Sequence, residues 1–252
     1  MKRISILYRL LLLIFSALFL LSAYMVYSIS AQARREQQAF DELEEIVRPS
    51  VQPLPDTEQP EKPPETSEVS SAYAALKEKN PDFFGWISIE GTKLDYPVMH
   101  TPEDGEYYLR RDFEGSHSQS GVPFLAADCY EGCGNYLIYG HHMKNGTMFK
   151  DIVKYKDQQY FDEHQDIILY TPDREIHLKA LAAVVANPDA IRRKIDFQSW
   201  EEFTSYIEEM TQDARAFATV PKGTAIRRLY SFVTCSYEFQ NARTILYAYE
   251  EN

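Results

Sequence analysis

The chain has 252 residues, a formal net charge of −12 and only three cysteines. All 38 acidic residues, but only 23 of the 26 basic residues, follow residue 33, and so acidic a region argues against binding to nucleic-acid backbones or anionic lipid surfaces. Three cysteines are too few for a disulfide-rich scaffold.

The first predicted element is a membrane-spanning helix near the N-terminus. No charged residue occurs from Leu10 to Ala33, and most of this segment is apolar, LLLLIFSALFLLSAYMVYSI. About 20 apolar residues span a bilayer as a helix, whereas the apolar part of a cleaved signal peptide has about 7–15. We therefore predict a retained anchor over residues 10–31, with a cleaved signal peptide as the alternative.

The charges on either side of this anchor predict its orientation. Lys2, Arg3 and Arg9 precede it, so residues 1–9 should stay in the cytoplasm and the rest of the chain should lie outside the cell. Arg34 and Arg35 on the far side weaken this signal without reversing it.

A spacer is predicted between the anchor and the folded domain, over residues 32–69. Its first part, AQARREQQAFDELEE, is typical of a short polar helix. The segment Arg48–Glu68 then contains six of the 13 prolines and no aromatic residue, so it cannot bury a core and should be extended. The folded domain is predicted over residues 70–252.

The folded domain is predicted to be mainly β. Eight segments have strand patterns: FGWISI (84–89), LDYPVM (94–99), VPFLAA (122–127), NYLIYG (135–140), DIILYT (166–171), IHLKALAAVVA (176–186), RLYSFVTC (228–235) and RTILYAYE (243–250). Eight strands with short connections indicate an antiparallel barrel or sandwich. Helices are predicted over SAYAALKEKNP, over residues 147–155, and after Ser199, where Glu202 completes the spacing of a capping box.

The chemistry of the chain depends on how Cys235 is interpreted. It stands where an apolar strand gives way to polar residues, and Arg243 begins the next apolar run. Cys235 is either a small core residue or a nucleophile whose anion-stabilising partner is Arg243. An arginine suits that role because it stays protonated and offers several hydrogen-bond donors. A cysteine nucleophile also needs an acid/base group, and His141 and His142 stand at the end of another strand.

Two segments containing these residues resemble the signature regions of sortases, the membrane-anchored cysteine transpeptidases of Gram-positive cell surfaces. They are NYLIYGHHMKNGTMF and FVTCSYEFQNARTILYAY. The segment FFGWISIEGTKLDYPVMHTPEDGEYYLRRDFEG, the Tyr-Glu-Phe after Cys235 and the long helix before the cysteine strand are similar to class B sortases in particular. The similarity runs from Ala72 to Glu250, nearly the whole predicted domain.

The resemblance implies a closed eight-stranded barrel with flanking helices, and it implies roles for four residues. Cys235 would be the nucleophile, His141 the acid/base, Arg243 the residue that steadies substrate and oxyanion, and Thr234 a substrate-binding residue. His141 is preferred to His142 because the histidine of the family directly follows a glycine, here Gly140. The family often has a small residue two positions before the cysteine, where this chain has valine.

The resemblance also implies the reaction and its partners. The enzyme would cleave a C-terminal sorting motif of surface proteins through a thioester and transfer the acyl group to an amine, without a cofactor or a metal. The acceptor would be a lipid-linked peptidoglycan precursor or, in a pilin-polymerising sortase, a pilin lysine. A mainly hydrolytic cysteine peptidase is a further alternative.

Two alternative functions are not enzymatic. One is a stalked surface module in which Cys235 is merely buried. The other is a metal-binding module that uses Cys129, Cys133, His141 and His142, whose side chains suit zinc. Cys129 and Cys133 could instead form a disulfide or stay as thiols, and we expect them to be dispensable for catalysis.

Overall fold

The computed structural model describes residues 2–47, 66–220 and 223–250. The chain divides into two compact units, residues 1–50 and residues 51–252. Most of the predicted proline-rich spacer lies outside the described residues. The predicted boundaries of anchor, spacer and folded domain therefore stay predictions.

The described part of the first unit forms one helix, α1 (Lys2–Val47). The predicted anchor and the predicted polar helix after it form one continuous element rather than two. Within α1, the stretch Tyr8–Val47 is long enough and contains a window apolar enough to cross a membrane.

The second unit contains nine strands and three α-helices in its described residues. The strands are β1 (Phe83–Ser88), β2 (Asp95–Met99), β3 (Phe124–Leu125), β4 (Asn135–Tyr139), β5 (Asp166–Tyr170), β6 (Glu175–Ala186), β7 (Ala216–Phe217), β8 (Leu229–Cys235) and β9 (Arg243–Glu250). The helices are α2 (Thr66–Lys79), α3 (Gln158–Glu163) and α4 (Trp200–Thr211). Short 3-10 helices occupy Tyr107–Arg110, Asp151–Lys156 and Ala190–Arg193.

Eight of these strands close into a barrel. Their order is β5-β1-β2-β3-β4-β8-β9-β6, and β6 pairs with β5 to complete the ring, which leaves β7 attached to β6 outside it. The predicted eight-stranded barrel is confirmed. The β2–β3 and β4–β8 pairs, however, are parallel rather than antiparallel. Parallel neighbours need a long crossover, and between β4 and β8 the chain forms β5, β6, β7 and two helices.

In the second unit, three predicted elements differ from the observed ones by more than one residue at an end. Strand β3 has two residues instead of the six predicted, and the residue before it, Pro123, has no N–H group to donate to a neighbouring strand. The helix predicted over residues 147–155 is a 3-10 helix at Asp151–Lys156. Helix α2 begins at Thr66, four residues before the predicted start of the domain. The two-residue strand β7 was not predicted.

Helix α4 forms as the sequence predicts. The Ser199 hydroxyl oxygen accepts a hydrogen bond from the Glu202 N–H at 3.2 Å and so caps the first turn. The Glu202 carboxylate does not complete a capping box, because it accepts from the Gln198 N–H and pairs with Lys194 instead. The apolar face of α4, which includes Phe203, packs against the barrel.

The two faces of β8 pack against different parts of the domain. Tyr230 and Phe232 belong to the main core, whereas Leu229 and Val233 pack in a second cluster with residues of α4. Because side chains alternate along a strand, Cys235 lies on the same face as Leu229 and Val233. It is half-buried, at the end of the strand.

Candidate active site

Strand pairing brings together the three residues predicted to carry the chemistry. In the parallel pair β4–β8, Tyr139 lies opposite Val233, so the residues that follow each strand leave the barrel at the same end. In the antiparallel pair β8–β9, Cys235 lies directly opposite Arg243. His141 comes two residues after Tyr139, and Cys235 comes two residues after Val233. The two residues therefore extend equally far along the barrel.

One cavity contains all of these side chains. Its volume is about 490 Å³, and its lining includes His141, Thr234, Cys235 and Arg243. His142, which is also described by the structure, does not line it. The cavity therefore includes His141, the histidine preferred from the resemblance, and not its neighbour.

The ring of His141 is held in one tautomer. Its Nε2 lies 2.8 Å from the main-chain oxygen of Leu109. A carbonyl oxygen only accepts, so Nε2 carries the proton and Nδ1 of the neutral ring is free to accept one. Burial lowers the pKa of His141, the Leu109 hydrogen bond opposes this, and the positive charge of Arg110 lowers it further. The neutral form, which can act as a base, is therefore favoured near pH 7.

A close approach to the backbone explains the glycine before His141. A Cβ atom added to Gly140 would lie 2.5 Å from the ring of Phe149, which is fully buried. A larger residue there would displace the Phe149 ring or the end of β4. The Gly-His sequence therefore reflects a packing requirement next to the site.

Thr234 ties the two strands together beside the cavity. Its hydroxyl donates a hydrogen bond of 2.7 Å to the main-chain oxygen of Gly140, and its side chain is almost fully buried. The Gly140 N–H in turn donates to the Val233 oxygen at 3.1 Å. These two bonds fix the position of His141 along the strands relative to Cys235.

The guanidinium of Arg243 is positioned by the turn that precedes it. Its Nη1 lies 3.1 Å from the main-chain oxygens of Asn241 and Ala242 and donates to both. Asn241 has a φ of 63°, in the left-handed region that asparagine tolerates better than most residues. The ion pairs found in the described part of the chain do not include Arg243. Its charge is therefore available to a ligand in the cavity.

Cys129 and Cys133 lie away from this cavity. Both are buried free thiols in the loop before β4, and both contact the main-chain oxygen of Asn135, at the opposite end of β4 from His141. Among the described residues there is no group of three or more side chains that could hold a metal ion. The four residues of the predicted metal module are thus not brought together.

The sequence did not identify every residue that forms the cavity. Leu109, Pro188 and Arg193 also line it, and they come from segments with no recognisable chemical pattern. Leu109 belongs to the short helix Tyr107–Arg110, and the other two follow β6. The run YYLRR lies within the longer segment that is similar to class B sortases, and its residue types have no chemical pattern of their own. Nothing in the sequence showed that it contributes a wall of the site.

Comparison with known proteins identifies the relatives of this domain. No protein-family model matches the chain. Sortase B of Listeria monocytogenes is 25% identical over 186 residues, which cover 71% of this chain and 74% of the relative. Sortase B of Staphylococcus aureus is 27% identical over 143 residues, which cover 56% of this chain and 58% of the relative.

Solved structures give the same result. A mutant form of Clostridium perfringens sortase B aligns with a TM-score of 0.72 and 25% identity over 86% of this chain and 98% of the other. A second structure of that protein aligns with a TM-score of 0.64 and 28% identity, over 71% of this chain and 99% of the other. The relatives and the solved structures agree: the chain is similar to sortases, and to class B sortases in particular.

Proposed function

We propose that this sortase-type cysteine transpeptidase is anchored in the membrane and joins surface proteins to the cell wall. It would cleave a C-terminal sorting motif through a thioester on Cys235 and transfer the acyl group to an amine of a cell-wall precursor. The observation that supports this most directly is the single cavity lined by Cys235, His141 and Arg243 at one end of a sortase-type barrel.

The first half of the proposed reaction forms the thioester. The sulfur of Cys235 attacks the carbonyl carbon of the scissile peptide bond, and His141 takes up the thiol proton. Nδ1 is the available base, because Nε2–H is donated to Leu109. When the C–N bond breaks, His141 returns the proton to the departing amine, which leaves as a neutral amine.

The second half releases the acyl group. The acceptor amine attacks the thioester carbonyl, the C–S bond breaks, and the amine loses a proton as the new amide forms. The sulfur leaves as a thiolate, and a proton returned through His141 restores the starting state. Water in place of the amine gives hydrolysis, and a pilin lysine in place of the cell-wall precursor gives a pilin polymer.

Arg243 and Thr234 would serve the substrate rather than the proton transfers. Arg243 would donate hydrogen bonds to the peptide and to the oxygen that becomes negative in each tetrahedral intermediate. Thr234 would contact the peptide beside the thiol. Its hydroxyl proton is already donated to Gly140, so that contact would use another part of the side chain.

Membrane attachment is the second part of the proposal. The apolar residues of α1 support an anchor, and the basic residues before them favour a cytoplasmic N-terminus. An anchored enzyme would meet a lipid-linked acceptor at the same membrane. This favours the cell-wall precursor over a soluble amine.

We expect Cys235→Ala to abolish peptide cleavage, because no thioester can form, while peptide binding persists. His141→Ala should lower the rate of cleavage by about 10²–10⁴-fold, since the leaving amine must be protonated. The assay is cleavage of a sorting-type peptide with and without added amine. Cys129→Ala is the matched control, because it removes a thiol outside the cavity. Normal turnover in Cys235→Ala would refute the proposed chemistry.

Arg243→Lys separates directed hydrogen bonding from a general effect of charge. The variant keeps the positive charge but loses the planar fork of donors. If the fork binds the oxyanion, kcat should fall by about 10²–10³-fold. Arg174→Lys, at an exposed ion pair with Glu250, is the control and should have little effect. A loss of less than about threefold in Arg243→Lys would show that charge alone suffices.

The anchor is tested by locating the full chain in cells. We expect the intact protein in the membrane fraction, and protease added from outside should release a soluble fragment by cutting between Arg48 and Glu68. Detergent before protease is the control for access. Recovery of the full chain from the cytosol would contradict the proposed location, whereas a secreted chain cut near residue 31 would indicate a signal peptide.

A further inference from the structure

His142, the histidine outside the cavity, contacts the main chain of the proposed nucleophile. Its Nδ1 lies 2.9 Å from the main-chain oxygen of Cys235. Because that oxygen can only accept, Nδ1 carries the proton and donates it. We propose that His142 is a positioning residue that fixes the end of β8, and with it the thiol. This inference rests on the proposed function, which makes Cys235 the nucleophile.

Lys150 holds the His142 ring in the tautomer that this contact needs. The Nζ of Lys150 lies 2.7 Å from Nε2 of His142, and an ammonium group can only donate. Nε2 therefore accepts, and the ring is neutral with its single proton directed at Cys235. Burial lowers the pKa of His142, the bond to Cys235 opposes this, and the charge of Lys150 lowers it further, which agrees with a neutral ring.

The backbone around His142 is built to hold this position. His142 forms a β-bridge with Met148, whose φ is 56°, a conformation that is strained for a side chain other than glycine, asparagine or aspartate. The adjacent Phe149 N–H donates to the His141 oxygen at 2.9 Å. Strain of this kind persists only where the surroundings enforce it, and it occurs often at functional sites.

The segment that His142 holds leads directly from the nucleophile to the arginine. Residues 236–242 connect Cys235 to Arg243, and the Ser236 N–H donates to the Ala242 oxygen at 2.9 Å. Tyr237 in this segment packs against the His142 ring, with the ring centres 5.0 Å apart. His142 therefore contacts both Cys235 and the connection that follows it. Its loss should let the thiol and the guanidinium shift relative to each other.

The same segment is also held through Glu238. Glu238 pairs with Lys156 and accepts from the Ser236 hydroxyl. Burial raises the pKa of Glu238, but these two hydrogen bonds, a hydrogen bond from the main chain and the charge of Lys156 together lower it to about 2. Lys150 immediately precedes the short helix Asp151–Lys156, and Lys156 is its last residue. The stretch 150–156 therefore braces both His142 and the connection beyond Cys235.

The test compares two substitutions of His142 in the full-length protein in detergent. His142→Asn keeps an N–H donor near the position of Nδ1, whereas His142→Phe keeps a ring against Tyr237 but has no donor. We expect kcat for the sorting-type peptide to fall about tenfold in His142→Phe, the size of one lost hydrogen bond, with KM within about twofold. His142→Asn should recover most of the loss.

Lys150→Met provides an independent check, with Lys154→Met as its matched control. Lys154 is an exposed neighbour that pairs with Asp151 and does not contact His142. We expect Lys150→Met to lower kcat by about threefold to tenfold and Lys154→Met to leave it unchanged. Equal kcat values in His142→Phe and the wild type, or in His142→Asn and His142→Phe, would overturn the inference.

A second readout keeps this inference separate from the proposed function. The rate at which iodoacetamide alkylates Cys235 reports the position of the thiol without any substrate. It should change in His142→Phe and return toward the wild-type rate in His142→Asn. If the wild type fails to cleave every peptide tested, the proposed function fails, and the alkylation rates still decide the role of His142. Identical rates in all three proteins would then refute it.

Discussion

Strands β4 and β8 run parallel, with Tyr139 opposite Val233, and the rest of the site depends on this pairing. Parallel strands leave a sheet at the same end, so the residues after β4 and those at the end of β8 meet. An antiparallel pairing would place His141 and Cys235 at opposite ends of the barrel. The Thr234 hydroxyl and the Gly140 N–H fasten the two strands at the last position before the site.

Hydrogen bonds to main-chain oxygens then place each polar side chain. His141 is directed by Leu109, and Arg243 by the carbonyls of the turn before it. Both contacts are made by the protein's own main chain, and fixed donors of this kind are what a preorganised site requires. The two described non-glycine residues with positive φ, Met148 and Asn241, lie in the segments that follow β4 and β8. Backbone strain therefore coincides with the parts of the chain that hold the site.

Much of this architecture could be predicted from the sequence, because local patterns determine it. Eight strand segments have recognisable apolar runs, and Ser199 marks the beginning of α4. The parallel pairings could not be predicted, since they join segments far apart in the chain and depend on how the barrel closes. The shortness of β3 is a related case, because pairing depends on both neighbours. Pro123 was a local signal for it.

The site followed the same division. Cys235, Arg243 and the adjacent pair His141 and His142 could be recognised at strand ends, because their types suit one reaction. Leu109 could not, since a main-chain oxygen that orients a histidine has no sequence signature. The resemblance to sortases selected His141 over His142, because the histidine of the family directly follows a glycine. It could not predict that His142 returns to the Cys235 carbonyl, because that contact depends on the bend after Gly140.

The thioester on Cys235 is the central claim, and intact-protein mass spectrometry tests it directly. The protein would be mixed with a sorting-type peptide without added amine and quenched with acid within the first turnover. The account predicts an added mass equal to the N-terminal peptide fragment less one water, mapped to Cys235 and removed by hydroxylamine. Peptide cleavage that proceeds with no adduct on Cys235, or with the same adduct on Cys129 or Cys133, would contradict it.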